Sequence, residues 1–89
     1  MDKLGRLRME YERDGNVVQV YNAPTVCSLV INGEVVDEYR GLVAGRFALE
    51  GQIEHEGEEP IPIEAKMGFL FMSLFYGNVL VGKKFMGFG

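Results

Sequence analysis

The chain has 89 residues, 47% of them hydrophobic, a single cysteine and a net charge of −4. That length holds one domain, burying roughly 60–65% of its unfolded surface, so the apolar share can build a core without metal or disulfide. Cys27, standing alone, excludes an intramolecular disulfide and fits a reducing, cytoplasmic setting, while the acidic balance argues against nucleic acid as the main partner.

The first six residues carry charges with no apolar run behind them, so no signal peptide is expected. Over residues 7–13, Leu7, Met9 and Tyr11 alternate with Arg8, Glu10 and Glu12, the pattern of a half-buried antiparallel strand. Asp14-Gly15-Asn16 reads as a turn and residues 17–21 as the returning strand. Pro24 holds Ala23 extended and ends that strand. Residues 26–31 and 34–40 flank Asn32-Gly33, a pair that tolerates positive φ and predicts a type I′ hairpin.

Residues 44–46 join this half to the next. There Phe47, Leu49, Gly51 and Ile53 face one way, against Ala48, Glu50, Gln52 and Glu54. After a loop at 57–59, Ile61, Ile63, Ala65 and Met67 alternate with Pro62, Glu64 and Lys66. Pro60 and Pro62 share parity, so their missing N–H groups lie along one edge and predict a sheet border. Residues 69–76 are apolar on both sides: Phe69, Phe71, Ser73 and Phe75 on one, Leu70, Met72, Leu74 and Tyr76 on the other. The uncharged stretch between Lys66 and Lys83 is shorter than the ~20 residues of a spanning helix. Gly77-Asn78 interrupts it, so it reads as a hairpin and no membrane partner is expected.

The chain nearly repeats itself. Ser28-Leu29-Val30-Ile31-Asn32-Gly33-Glu34-Val35-Val36 returns as Ser73-Leu74-Phe75-Tyr76-Gly77-Asn78-Val79-Leu80-Val81. A fainter echo matches Leu7-Met9-Tyr11 with Leu49-Gly51-Ile53. The expected fold is all-β: about eight antiparallel strands in a two-sheet β-sandwich or flattened barrel, with an internal pseudo-repeat. Residues 1–89 form one domain, with half-repeats at about 6–43 and 46–88.

The first hairpin through Tyr39-Arg40, a second strand pair, and Leu74-Phe75-Tyr76-Gly77-Asn78 ending in Lys83-Lys84-Phe85 together resemble the Fas apoptotic inhibitory molecule family. The likeness covers roughly residues 25–87 and rests on strand rhythm and two turns. Gly41 stands where that family's pattern places a tryptophan, and the second turn is Gly-Asn instead of Asn-Gly. The resemblance implies an eight-stranded β-sandwich and a non-enzymatic interaction module, and carries over no functional residue.

No catalytic constellation emerges. Cys27 shares parity with Leu29 and Ile31 and is expected in the core, whereas a reactive thiolate needs exposure and a nearby cation. His55 lies among Glu54, Glu56, Glu58 and Glu59, but alternation puts it opposite Glu54 and Glu56, and neither calcium nor zinc spacing is present. Asp37 and Glu38 are strand neighbours facing opposite ways, so they do not form a carboxylate pair. No metal, cofactor or enzymatic activity is expected.

The apolar surplus on residues 69–76 exceeds what one core face needs, and exposed apolar surface marks interaction sites. The expected interface uses Leu70, Met72, Leu74 and Tyr76 with Phe85 and Met86 beside them, for a homo-oligomer or another protein. An alternative is a binder of a small apolar molecule between the sheets, with Gly51 and Ala65 keeping space open.

Overall fold

The computed structural model describes residues 5–23, 25–40, 47–54, 56–68 and 71–85, with backbone alone for Phe85. Eight strands follow one another in order: β1 (Arg6–Arg13), β2 (Asn16–Ala23), β3 (Val26–Ile31), β4 (Glu34–Arg40), β5 (Phe47–Ile53), β6 (Ile61–Met67), β7 (Phe71–Tyr76) and β8 (Val79–Phe85). Each half of the chain makes one antiparallel meander, β1-β2-β3-β4 (sheet A) and β5-β6-β7-β8 (sheet B). The sheets are not closed into a barrel, so the sandwich form of the expectation holds. Among the described residues no helix is long and apolar enough to cross a membrane.

The sequence repeat is carried into the hydrogen-bond register. In β2, β3 and β4 every described pairing except the terminal Ala23↔Val26 recurs 45 positions later: Val20↔Leu29 becomes Ala65↔Leu74, and Leu29↔Asp37 becomes Leu74↔Gly82. The bulges recur as well, at Leu29/Val30 and again at Leu74/Phe75. Even the bond closing the turn is copied, Asn32 N–H donating to the Val17 carbonyl and Gly77 N–H to the Pro62 carbonyl, each at 2.8 Å. Asn32 and Gly33 both adopt positive φ (52° and 83°), as a type I′ turn requires; so do Gly77 and Asn78 (62° and 71°).

The fainter echo of β1 in β5 is shifted by one pleat. Met9 pairs with Val20 and Leu49 with Ala65, so Met9 corresponds to Leu49 and Tyr11 to Gly51. The segment between β5 and β6 is longer than the tight Asp14-Gly15 turn between β1 and β2. That insertion moves the match along the strand without changing its face.

Strict alternation fills the interior. Val18, Val20, Cys27, Leu29, Ile31, Leu49, Ile53, Ile63, Ala65, Met67, Met72, Leu74 and Tyr76 form one buried cluster. Fully burying a leucine such as Leu29 or Leu74 contributes roughly 1.5–3 kcal/mol, and both are completely covered. Leu7 departs from the expected face. A bulge between Leu7 and Met9 turns it outward beside Tyr21, and it stands 41% exposed.

The prolines do not mark a border. β6 is an interior strand, but Pro62 sits at its beginning, and its carbonyl points toward the Gly77 turn. N–H and C=O of one strand residue point the same way, so the missing N–H falls beyond the β6–β7 ladder, which starts at Ile63↔Tyr76.

Two seams close the sandwich, where β4 meets β5 and where β8 meets β1. At the first, a Cβ on Gly51 would lie 2.7 Å from Val36 Cγ2 and 3.1 Å from Ile31 Cδ1, so Val36 fills that space. Asp37 turns toward β5 and accepts the Glu50 backbone N–H at 2.9 Å, while Tyr39 stacks on Phe47 with centroids 4.1 Å apart. At the second seam Met9 Sδ occupies the place of a Gly82 Cβ, at 2.8 Å, and Lys84 Nζ donates to the Arg8 carbonyl at 2.9 Å. Side chains thus satisfy edge-strand backbone groups that would otherwise be open to other chains. Gly51 therefore holds no space open between the sheets, and Ala65 is wholly packed in the core.

Candidate interaction surface

The register decides which face of β7 looks outward. Met72, Leu74 and Tyr76 correspond to Cys27, Leu29 and Ile31 of β3, and all six point into the core. Met72 and Leu74 are fully covered and Tyr76 is 5% exposed, with its ring edge-on to Tyr11 at 5.4 Å. The expected interface is corrected here: these three side chains are core and offer nothing to a partner. Leu70, Met86 and the Phe85 side chain lie outside the described residues; the Phe85 backbone pairs with Phe71.

The outward face of β7 is Phe71, Ser73 and Phe75. Cross-strand pairing sets two rows on the outer surface of sheet B. One runs Glu50–Glu64–Phe75–Leu80 and the next Ala48–Lys66–Ser73–Lys83. Phe71 is 45% exposed and Leu80 50%, and Phe75 is half-buried. Lys66 Nζ lies 5.2 Å from the Phe75 ring centroid and Lys83 Nζ 5.1 Å from that of Phe71. Such contacts contribute about 0.5–1 kcal/mol each at exposed sites; they hold two ammonium groups over two aromatic faces. Neither lysine joins an ion pair among the described residues, where the salt bridges are Arg13–Asp14 and Arg40–Glu38. Beside Phe75, a depression of about 210 Å³ is lined by Glu50, Gly51, Pro62, Ile63, Glu64 and Asn78.

Sheet A differs at the equivalent positions. Ser28 and Val30 correspond to Ser73 and Phe75, yet they are only 1% and 3% exposed. Tyr21 and Glu38 stand where sheet B has Lys66 and Lys83. The repeat is faithful in backbone and core and broken on the outer faces. One face has a covered centre; the other presents aromatic rings and cations.

The remaining candidates behave structurally. Cys27 is 2% exposed, and its Sγ–H donates to Asn22 Oδ1 at 3.3 Å. Burial pushes the thiol up from its ordinary range, opposed by the Arg8 charge, so thiolate chemistry is disfavoured. Glu54, Glu56, Glu58 and Glu59 are exposed to solvent, and His55 lies outside the described residues. No three His, Cys, Asp or Glu side chains among the described residues gather as a metal site would require. Asp37 and Glu38 do face apart: one caps β5, the other accepts from Arg40 Nε at 2.8 Å.

Comparison with protein-family models, with curated proteins and with solved structures returns no match.

Proposed function

We propose that the chain is a non-enzymatic protein–protein interaction module whose docking surface is the outer face of sheet B. The observation that carries this reading is the broken symmetry of the repeat. Ser28 and Val30 are covered on sheet A, whereas on sheet B Ser73 and Phe75 are half-buried and Phe71 is 45% exposed, with a lysine over each ring. Aromatic side chains with a cationic rim suit a protein partner, because interface centres are rich in aromatic residues and charge sets orientation. A reducing, cytoplasmic setting belongs to the same proposal, since one buried thiol makes no disulfide.

The test is native mass in the cells that make the protein. Wild type should elute from size exclusion within a larger assembly, identical copies or another chain. Phe71→Lys should elute as the free chain while still folding, melting only a few degrees lower as the Lys83 contact of about 0.5–1 kcal/mol is lost. A wild type that elutes alone, or a variant that keeps its assembly, defeats the reading.

A further inference from the structure

The chemistry of the docking face also selects its occupant. Phe75, Ser73 and Phe71 are alternate residues on one strand, so their side chains rise at intervals of roughly 6.8 Å. Lys66 and Lys83 stand on either side of Ser73, in the same cross-strand row. Their ammonium groups lie over the two rings, Lys66 over Phe75 and Lys83 over Phe71, so the surface along β7 reads as two ammonium-capped rings on either side of Ser73. A chain with 13 acidic and 9 basic residues has carboxylates to spare, yet neither lysine takes one among the described residues. Lys84, by contrast, is engaged at the β8–β1 seam.

Resting on the docking role proposed above, we propose that the occupant is an extended acidic segment of another protein. It presents apolar, acidic and apolar side chains at alternate positions: the carboxylate seats over Ser73 and draws Lys66 and Lys83 off their rings, and the apolar pair takes the ring faces of Phe75 and Phe71 that the lysines leave. Charge complementarity selects it over two rivals. A second copy stacked β7 on β7 brings four ammonium groups together, and no described outward strand face of this chain reads apolar–acidic–apolar. A nucleic acid strand meets two carboxylates, Glu64 and Glu50, in the same cross-strand row as Phe75, on a chain of net charge −4.

The test is a titration of the full 89-residue chain, labelled with ¹⁵N, with the peptide Thr-Leu-Thr-Glu-Thr-Leu-Thr, followed by amide chemical shifts. The same peptide with glutamine at its centre, and an oligothymidylate, serve as comparisons. The glutamate peptide should shift amides of β6, β7 and β8 and bind about tenfold more tightly than the glutamine peptide, the loss expected for an unpaired rim carboxylate contact of roughly 1.4 kcal/mol. Lys83→Gln, its fold verified in the same spectra, should erase most of that difference. Equal affinity for both peptides, or no shifts at millimolar peptide, overturns the inference. Tighter binding of the oligothymidylate overturns it too and assigns the face to nucleic acid. If Phe71→Lys still releases a partner in cells while both peptides bind alike, the docking role stands and the acidic segment falls.

Discussion

Replacing Gly51 with alanine tests the closure of the sandwich where it is tightest. The new Cβ would sit 2.7 Å from Val36 Cγ2, inside the closest approach real carbon atoms adopt, and 3.1 Å from Ile31 Cδ1. Val36 is β-branched and stiff at χ1, and Ile31 belongs to the core, so neither swings away freely. Overpacking of this kind costs about 1–3 kcal/mol. Alanine also restricts the unfolded chain more than glycine, which returns about 0.5–1 kcal/mol. The net expectation is a loss centred on about 1 kcal/mol, or roughly 4–8 °C in melting temperature for a domain of this size. Gly82→Ala supplies the contrast. Its Cβ would meet Met9 Sδ at 2.8 Å, but that atom lies far along a flexible side chain that can move aside. Urea unfolding followed by circular dichroism should give a clearly lower midpoint for Gly51→Ala, an unchanged slope, and a near-wild-type midpoint for Gly82→Ala. Equal midpoints for Gly51→Ala and wild type would mean that Val36 does not close the β4–β5 seam, and the packing of sheet A on sheet B would be wrong.

Asp37→Ala removes the acceptor of the Glu50 and Glu38 backbone N–H groups; a loss of about 1 kcal/mol is expected at this half-exposed site, and a stability matching wild type would show the latch idle. Tyr76→Phe should be neutral or stabilising by up to about 1 kcal/mol, because the buried Tyr76 hydroxyl has no hydrogen-bond partner among the described residues. A large loss in the thermal melt would reveal a partner for that hydroxyl. Burial raises the folded thiol of Cys27 above its unfolded value, so the folded state holds the proton more strongly. Stability from this group is full below the unfolded thiol's pKa, about 8.5, and declines as pH rises from there toward the raised folded value. Under reducing conditions wild type should lose more stability than Cys27→Ala between neutral and alkaline pH, and parallel pH curves would refute the burial effect.

Much of this architecture is legible in the residues. The Asn32-Gly33 pair, the alternation of Phe47, Leu49, Gly51 and Ile53, and the Gly77-Asn78 turn locate hairpins and inward faces, because period-two patterning and positive φ are local properties. The β1 bulge is a different matter. Arg8 and Met9 show no local signal of it, and Leu7 joins the outer face through pairing with β2 that only the assembled sheet reveals. The outward face of β7 departs from the expectation for another reason. Both sides of that strand are apolar, so alternation alone has no preference. The repeat itself holds the missing signal: Cys27, Leu29 and Ile31 are inward, and transferring them by the common offset makes Met72, Leu74 and Tyr76 inward too. The lysines over Phe71 and Phe75 depend on cross-strand neighbours, and sequence proximity does not supply them.

Site-specific photocross-linking in living cells distinguishes the outer face of sheet B from that of sheet A. A photoreactive phenylalanine analogue is placed at position 71 on sheet B, or at position 19 on the outer face of sheet A, where Gln19 pairs with Glu10 and Val30. If sheet B is the docking face, position 71 gives one discrete protein adduct and position 19 gives none. Adducts from both positions alike, or from neither, would contradict that role.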